Sequence, residues 1–313
     1  MSLLRRHPSG MAHGLLILVT LVWGTTFALV KLALRDSTPL AFNLVRMTLA
    51  SAVLAVVNYR SLGGINRRDM RAGAAAGFFL GLGYQLQTSG LAHTTASVSA
   101  FLTGLVVVFV PLFSAIPGVL PTGQRKPGWP AFAGAAIAFL GLVLLTTPPG
   151  SGMALLSGIH LGEALTLACA AAFALHLLTL SRTASQVSAQ RLGTLQIGFC
   201  ALTMVLTLPL GGHAHIALTP TVLVALAVTA LLATAAAFTI QSWAQQHLSA
   251  THTALILTLE PVFAWLFSML FLGEHLSHRT IAGATLILAG ILVSELVAAT
   301  STPNGGILPT AER

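Results

Sequence analysis

Apolar residues run in long blocks along nearly the whole chain, and polar or basic residues are confined to short breaks between them. A block of about 20 apolar residues crosses the hydrocarbon core of a bilayer as a helix. Reading the blocks between breaks predicts ten spans, at approximately 14–34, 39–59, 72–92, 96–120, 130–147, 162–181, 190–209, 221–246, 250–272 and 279–298. The breaks carry turn chemistry, as at Arg35-Asp36-Ser37, Gly63-Gly64, Pro121 to Pro130, Pro148-Pro149-Gly150 and Gly211-Gly212.

Composition closes off the soluble alternative. Of 313 residues, 55% are hydrophobic and 7% charged, whereas soluble domains carry about 25% charged residues. A large soluble all-α protein could not build a water-facing surface from this chain. The net charge of +8 does not point to nucleic acid, because the basic residues sit between spans rather than along one face. Their distribution instead sets orientation. With the N-terminus inside, Arg5, Arg6, Arg60, Arg67, Arg68, Arg71, Arg125, Lys126, Arg182, Arg191 and Arg313 are cytoplasmic, and only Arg35 and Arg279 lie in outside loops. The first apolar run is too long for a signal peptide and lacks a small-residue cleavage site, so it is expected to be retained. Cys169 and Cys200 fall inside apolar blocks with no metal-ligand spacing and read as packing residues.

The two halves resemble each other. Phe27-Ala28-Leu29 lines up with Phe173-Ala174-Leu175, and Tyr84, Gln87 and Ala96 line up with Phe238, Gln241 and Ala250. Pro111-Leu112-Phe113 matches Pro261-Val262-Phe263 with a shift of about one helical turn, and Gly134 and Gly141 match Gly283 and Gly290. Five spans per half is an odd number, so the second half enters the membrane upside down. The expectation is an all-α polytopic membrane protein of ten transmembrane helices in two inverted five-helix repeats. Its parts are a cytoplasmic N-terminus (1–13), a first repeat (14–147), an outside linker (148–161), a second repeat (162–298) and a disordered cytoplasmic tail (299–313). Inverted repeats mark secondary transporters with a midplane site.

Val22-Trp23-Gly24-Thr25-Thr26-Phe27 with Lys31, Pro39 leading to Arg46, Leu259-Glu260-Pro261-Val262-Phe263-Ala264, Leu272-Gly273-Glu274 and the Gly283 to Gly290 run follow one another in order. Together they resemble the EamA family of ten-span bacterial exporters in the drug/metabolite transporter superfamily, over about residues 14–298. The resemblance implies a basket of helices around a central cavity, with spans 5 and 10 at the periphery. It also implies outward movement of amino acids, related metabolites or cationic drugs across the bacterial inner membrane, with aromatic-amino-acid exporters as a near relative. One departure is that Gly123-Gln124 stands in the first half where the second has Gly273-Glu274.

Ionisable groups inside spans are costly and therefore functional candidates. Glu260, before Pro261, is a candidate for proton coupling or cation binding, or a structural acid; His176 is a second coupling candidate, or a hydrogen-bonded packing residue. Lys31 shares a helix face with Trp23 and Phe27 and either snorkels to the headgroups or meets a substrate carboxylate. Arg46 lies too deep to snorkel and either pairs inside the bundle or receives that carboxylate. Tyr84 and Gln87, mirrored by Phe238, Gln241 and the neighbouring Trp243, suit a cavity for an apolar ring with an amino-acid head, or act as interhelical glue. Gly73, Gly77 and Gly81 form a packing stripe, and Pro111 and Pro261 are candidate hinges; Tyr59 and Trp129 read as interface anchors.

Metal, cofactor and catalytic readings find no motif: His213/His215 and His275/His278 lack nearby carboxylates in ligand spacing, and no phosphate-binding glycine loop with lysine occurs. The expected partners are the bilayer and a small-molecule substrate, with no nucleic acid; the oligomeric state is not readable. An importer, a nucleotide-sugar carrier, a channel or scaffold, and a membrane-embedded enzyme are the competing classes, the last predicting a catalytic cluster absent from the sequence.

Overall fold

The computed structural model describes residues 8–116, 128–146, 159–183, 187–244 and 256–300. Among these, all regular structure is helical apart from one isolated antiparallel bridge between Ser37 and Ile216. The helices are α1 (Pro8–Ala33), α2 (Pro39–Val57), α3 (Arg67–His93), α4 (Ala96–Gly104), α5 (Val106–Ser114), α6 (Trp129–Thr146), α7 (Leu161–Thr183), α8 (Ala189–Thr207), α9 (Pro220–Ala227), α10 (Ala237–Ala244), α11 (Glu260–Leu272) and α12 (His278–Thr300). A π-helical stretch, Val228–Ala236, joins α9 to α10.

Among the described residues, six helical stretches are long and apolar enough to cross a membrane: Gly10–Ala33, Pro39–Val57, Ala96–Ser114, Leu161–Leu180, Gln190–Gly211 and Pro220–Gln241. Phe132–Leu145, Glu260–Leu272 and His278–Val293 are shorter apolar helices. The predicted third span is a 27-residue helix that begins earlier than expected, at Arg67. A reciprocal cap explains the early start: the Asn66 side chain accepts from the Arg68 and Asp69 amides, while Asp69 Oδ2 accepts from the Asn66 amide. Glycines and polar residues make α3 less apolar than its neighbours, and it packs along α7 and α8.

Three expected spans are interrupted. The first, at 96–120, breaks at Leu105 between α4 and α5. Span 221–246 contains the π-helical stretch. Residues 256–272 include a turn at Thr258 and Leu259, after which α11 starts at Glu260 with Pro261 in its first turn. Proline lacks an amide hydrogen and fits a first helical turn, so the weakened span anticipated at Pro261 is a new helix start. The Gly123-Gln124 departure, Arg125 and Lys126, most of the 148–161 linker and the tail beyond Thr300 lie outside the described residues.

Glycines set the closest approaches. A Cβ on Gly24 would lie 2.6 Å from Phe263 Cβ and 3.0 Å from the Glu260 carbonyl, so α1 and α11 touch backbone to backbone there. The stripe Gly73, Gly77, Gly81 receives Leu195, Phe199 and Thr203 of α8 at the same kind of distance. α6 and α12 cross twice, Gly141 against Gly283 and Gly134 against Gly290. Small residues permit such contact where lipid gives no hydrophobic drive for helix association.

One end of the bundle is tied shut. The loop after α1 pairs with the loop before α9: Thr38 N–H donates to the His215 carbonyl at 2.8 Å, and Ala217 N–H to the Asp36 carbonyl at 2.8 Å. Thr219 Oγ1 donates to Asp36 Oδ2 at 2.9 Å. Beneath these ties Phe27, Val30, Phe42, Leu91, Val222 and Ala264 form one buried cluster from five helices. At the opposite end Arg191 of α8 holds buried Asp69 of α3 at 2.9 Å and also donates to the Ser61 and Gly63 carbonyls.

Candidate functional site

Below the tied end lies a cavity of about 160 Å³. Helices from both halves line it: α1, α2, α3, α4 and α5 from the first, and α7, α10 and α11 from the second.

The aromatic part of the wall is Trp23, Phe27, Tyr84, Phe173 and Phe238. Trp23 tilts against Phe238 with centroids 5.7 Å apart, and Tyr84 meets Phe173 edge-on at 5.3 Å. Both contacts join the halves, and edge geometries suit the quadrupoles of the rings. Gly83 is required for the second, because a Cβ there would collide with the Phe173 ring.

Arg46 is the cavity's cation. It is buried, its guanidinium carbon stands 4.4 Å over the Tyr84 ring, and its Nε and Nη2 both donate to Thr234 Oγ1, at 3.3 and 3.2 Å. Stacking on an aromatic face stabilises a guanidinium without consuming its donors. Glu260 faces the same space from the start of α11, where its carboxylate has no ion-pair partner among the described residues. The cavity therefore presents a guanidinium and a carboxyl group that form no ion pair with each other.

Polar neutral groups complete the wall. Gln87 Nε2 donates to Thr103 Oγ1 at 3.3 Å, and Gln241 lines the cavity from α10. His176 reaches the cavity while its Nε2 bonds Gln196 Oε1 at 2.9 Å. Behind the wall, Asn43 donates to the Tyr84 carbonyl and Gln85 Oε1 and accepts from Thr88 Oγ1, which fixes α2 against α3.

Of the residues singled out in the sequence, Trp23, Arg46, Tyr84, Gln87, Phe238, Gln241, Glu260, His176 and Pro261 converge on this cavity. Trp243 does not; it packs with Ala12, Leu16, Ala244 and Ile256 at the α1–α10 contact. Pro111 lies within α5 away from the wall. Lys31 is neither in the cavity nor stretched toward solvent. Its Nζ donates to the carbonyls of Leu91, Ala92 and Thr94 at 2.7, 3.3 and 2.8 Å, closing the C-terminal end of α3. A cation there satisfies carbonyls that have no partner within the helix.

Two residues beside Lys31 finish that corner. Glu274 accepts from the Ala96 and Ser97 amides and from Ser97 Oγ, at 2.8, 3.0 and 2.6 Å, and so caps α4. Glu163 accepts from Thr94 Oγ1 at 2.6 Å. The sequence reading missed Thr26, Phe27, Thr103 and Phe173 in the wall, although the Phe27–Phe173 correspondence between halves carried the signal. Nothing local in the sequence marked Thr234.

A bundle of apolar helices surrounding an amphipathic cavity defines a multi-pass membrane protein of the solute-transporter class. The chain belongs to the EamA-like transporter family, whose model matches residues 10–147 and 160–296. Members of that family are transporters rather than enzymes. An uncharacterized transporter of Archaeoglobus fulgidus is 32% identical over 281 residues, covering 90% of this chain and 84% of the relative. A second from the same organism is 23% identical over 288 residues, covering 90% and 96%. A crystal structure described only as that of a protein aligns with a TM-score of 0.63 over 93% of this chain and 98% of the other, at 18% identity; it is similar in fold.

Proposed function

We propose that the protein is a secondary transporter that exports amino acids or related small amphipathic metabolites across a bacterial inner membrane. The observation that carries this reading is that the cavity holds the Arg46 guanidinium and the Glu260 carboxyl group, not paired with each other, among aromatic rings. A zwitterion with an apolar side chain complements the guanidinium, the carboxyl group and the rings at once. Arg46, not Lys31, is then the group that meets the carboxylate. Glu260 is the first coupling candidate and His176 the second.

Ten spans in two inverted repeats remain the architecture that fits best. The family match falls in two successive stretches, and the glycine contacts support antiparallel symmetry. Gly134 corresponds to Gly283 and Gly141 to Gly290, so Gly134–Gly290 and Gly283–Gly141 are the same contact made twice. With cytoplasmic termini the tied end faces outside, and the form described is closed to the exterior. Transport then requires the two repeats to rock about the cavity.

The test is counterflow of radiolabelled amino acids in proteoliposomes, with and without a pH gradient. Saturable flux favouring aromatic substrates is expected; no flux of any amino acid sinks the reading. Glu260 among aromatic rings also fits an organic cation, and transport of such a cation without amino-acid flux would favour that second reading.

A further inference from the structure

The π-helical stretch between α9 and α10 contains no glycine or proline to explain it, yet its residues are the ones that touch Trp23 and Arg46. π-turns concentrate at functional sites because they shift side-chain register and release carbonyls from the helical ladder. Both effects are visible. The Ala233 carbonyl accepts from Trp23 Nε1 at 2.8 Å, across 210 residues of sequence. Thr234 Oγ1 donates to the carbonyl five residues back, Thr229, at 2.8 Å. At the start of the stretch Thr229 makes the ordinary bond, to Ala225 four residues back in α9.

That difference fixes the Thr234 hydroxyl. Its single proton is committed to Thr229, so its lone pairs are left for Arg46. They occupy one edge of the guanidinium, Nε with Nη2, while Tyr84 covers a face. Nη1 has no acceptor among the described residues. A guanidinium carries five N–H donors, and a single oxygen on the Nε/Nη2 edge leaves the terminal Nη1/Nη2 edge available. This edge matches the two oxygens of a carboxylate.

We infer that Thr234 is the positioning residue that aims the terminal edge of Arg46 at a substrate carboxylate, and that the π-helical turn exists to supply its hydroxyl. The inference rests on the transport function proposed above and deepens it, by making the carboxylate an obligatory part of the substrate. The amino group is secondary: an acid lacking it should still be recognised, and an amine lacking the carboxylate should not.

The experiment measures saturable flux of L-phenylalanine, hydrocinnamate (carboxylate, no amine) and phenethylamine (amine, no carboxylate) in proteoliposomes of wild type, T234S and T234V. Valine keeps the volume and removes the hydroxyl; serine keeps the hydroxyl. Hydrogen bonds to charged groups contribute enough that T234V should raise KM for phenylalanine and hydrocinnamate about 10-fold. T234S should stay within about 3-fold of wild type for both acids, and phenethylamine should be a poor substrate of all three proteins. If T234V does not elute as a single species in detergent, T234A takes its place. Flux of phenylalanine with unchanged KM in the hydroxyl-free variant overturns the role of Thr234 and leaves the transport reading standing. Phenethylamine moved as well as the acids overturns the carboxylate assignment, again without touching transport. Flux of none of the three by wild type removes the amino-acid function and the carboxylate assignment together.

Discussion

Lys31, Glu260 and Arg46 are three ionisable side chains in or near apolar helices, and each is accommodated differently. Lys31 is held by three carbonyls at the end of α3, so Lys31→Met leaves those acceptors unmet and should lower stability by about 2 kcal/mol. Thermal unfolding in detergent checks this, and an unchanged melting temperature would contradict the capping role. Glu260 has no such partner, and its replacement should act on function. Glu260→Gln is expected to keep counterflow but lose the stimulation of efflux by a pH gradient; a variant still driven by that gradient would remove Glu260 from coupling. The depth of Arg46 in its span was legible as a sign of internal pairing, since a side chain two turns from the headgroups cannot snorkel. The fate of Lys31 was not, because its acceptors are carbonyls 60 to 63 positions later in the chain, and a helix end has no distinctive sequence of its own. Glu274 is intermediate: the Gly273-Glu274 motif singled it out in the sequence, but not the α4 amides that it caps.

At the level of helices, small residues decide which pairs approach. Gly77 admits the Gln196 carbonyl, Phe199 Cβ and Cys200 amide at 2.5 to 2.8 Å from where a Cβ would stand. Gly77→Ala must therefore push α3 off α8 and should cost about 2–3 kcal/mol. Gly193, also in α8, has open space around its Cβ position, so Gly193→Ala should be neutral or stabilising by about 0.5–1 kcal/mol through helix propensity. Melting curves for the two variants should move in opposite directions or differ clearly in size. The blocks of apolar residues located the helices well, because bilayer thickness enforces their length. They could not show the interruptions at Leu105 and Leu259 or the π-turn at Val228–Ala236. Apolar residues continue on both sides of each break, so the pattern carries no mark of it.

For the molecule as a whole, the crossing of α6 with α12 offers a test of symmetry. Gly141→Ala and Gly290→Ala occupy equivalent places in the proposed repeats, and a Cβ at either would stand within 2.7 Å of a carbonyl oxygen and an amide nitrogen of the opposite helix. Equal losses of stability are expected, and a loss confined to one would argue against the two-fold relation. Reporter fusions should place both termini in the cytoplasm, following the basic loops. The pairing of Tyr84/Gln87 with Phe238/Gln241 was legible from internal similarity, and both pairs do line one cavity. What no alignment of the halves could give is the tied end, whose contacts between Asp36, Thr38, His215 and Thr219 join loops with little resemblance to each other.

The cap on α4 also has a consequence for biosynthesis. The Glu274 carboxylate that receives the Ala96 amide stands 178 residues later in the chain. While the ribosome is still making the second half, the α3–α4 corner is already in the membrane with its amides answered by water alone. The first half is thus not a finished unit waiting for a duplicate. Expressed by itself it would lack its own closing residue, and two separately translated halves should mature only when they meet in the same membrane.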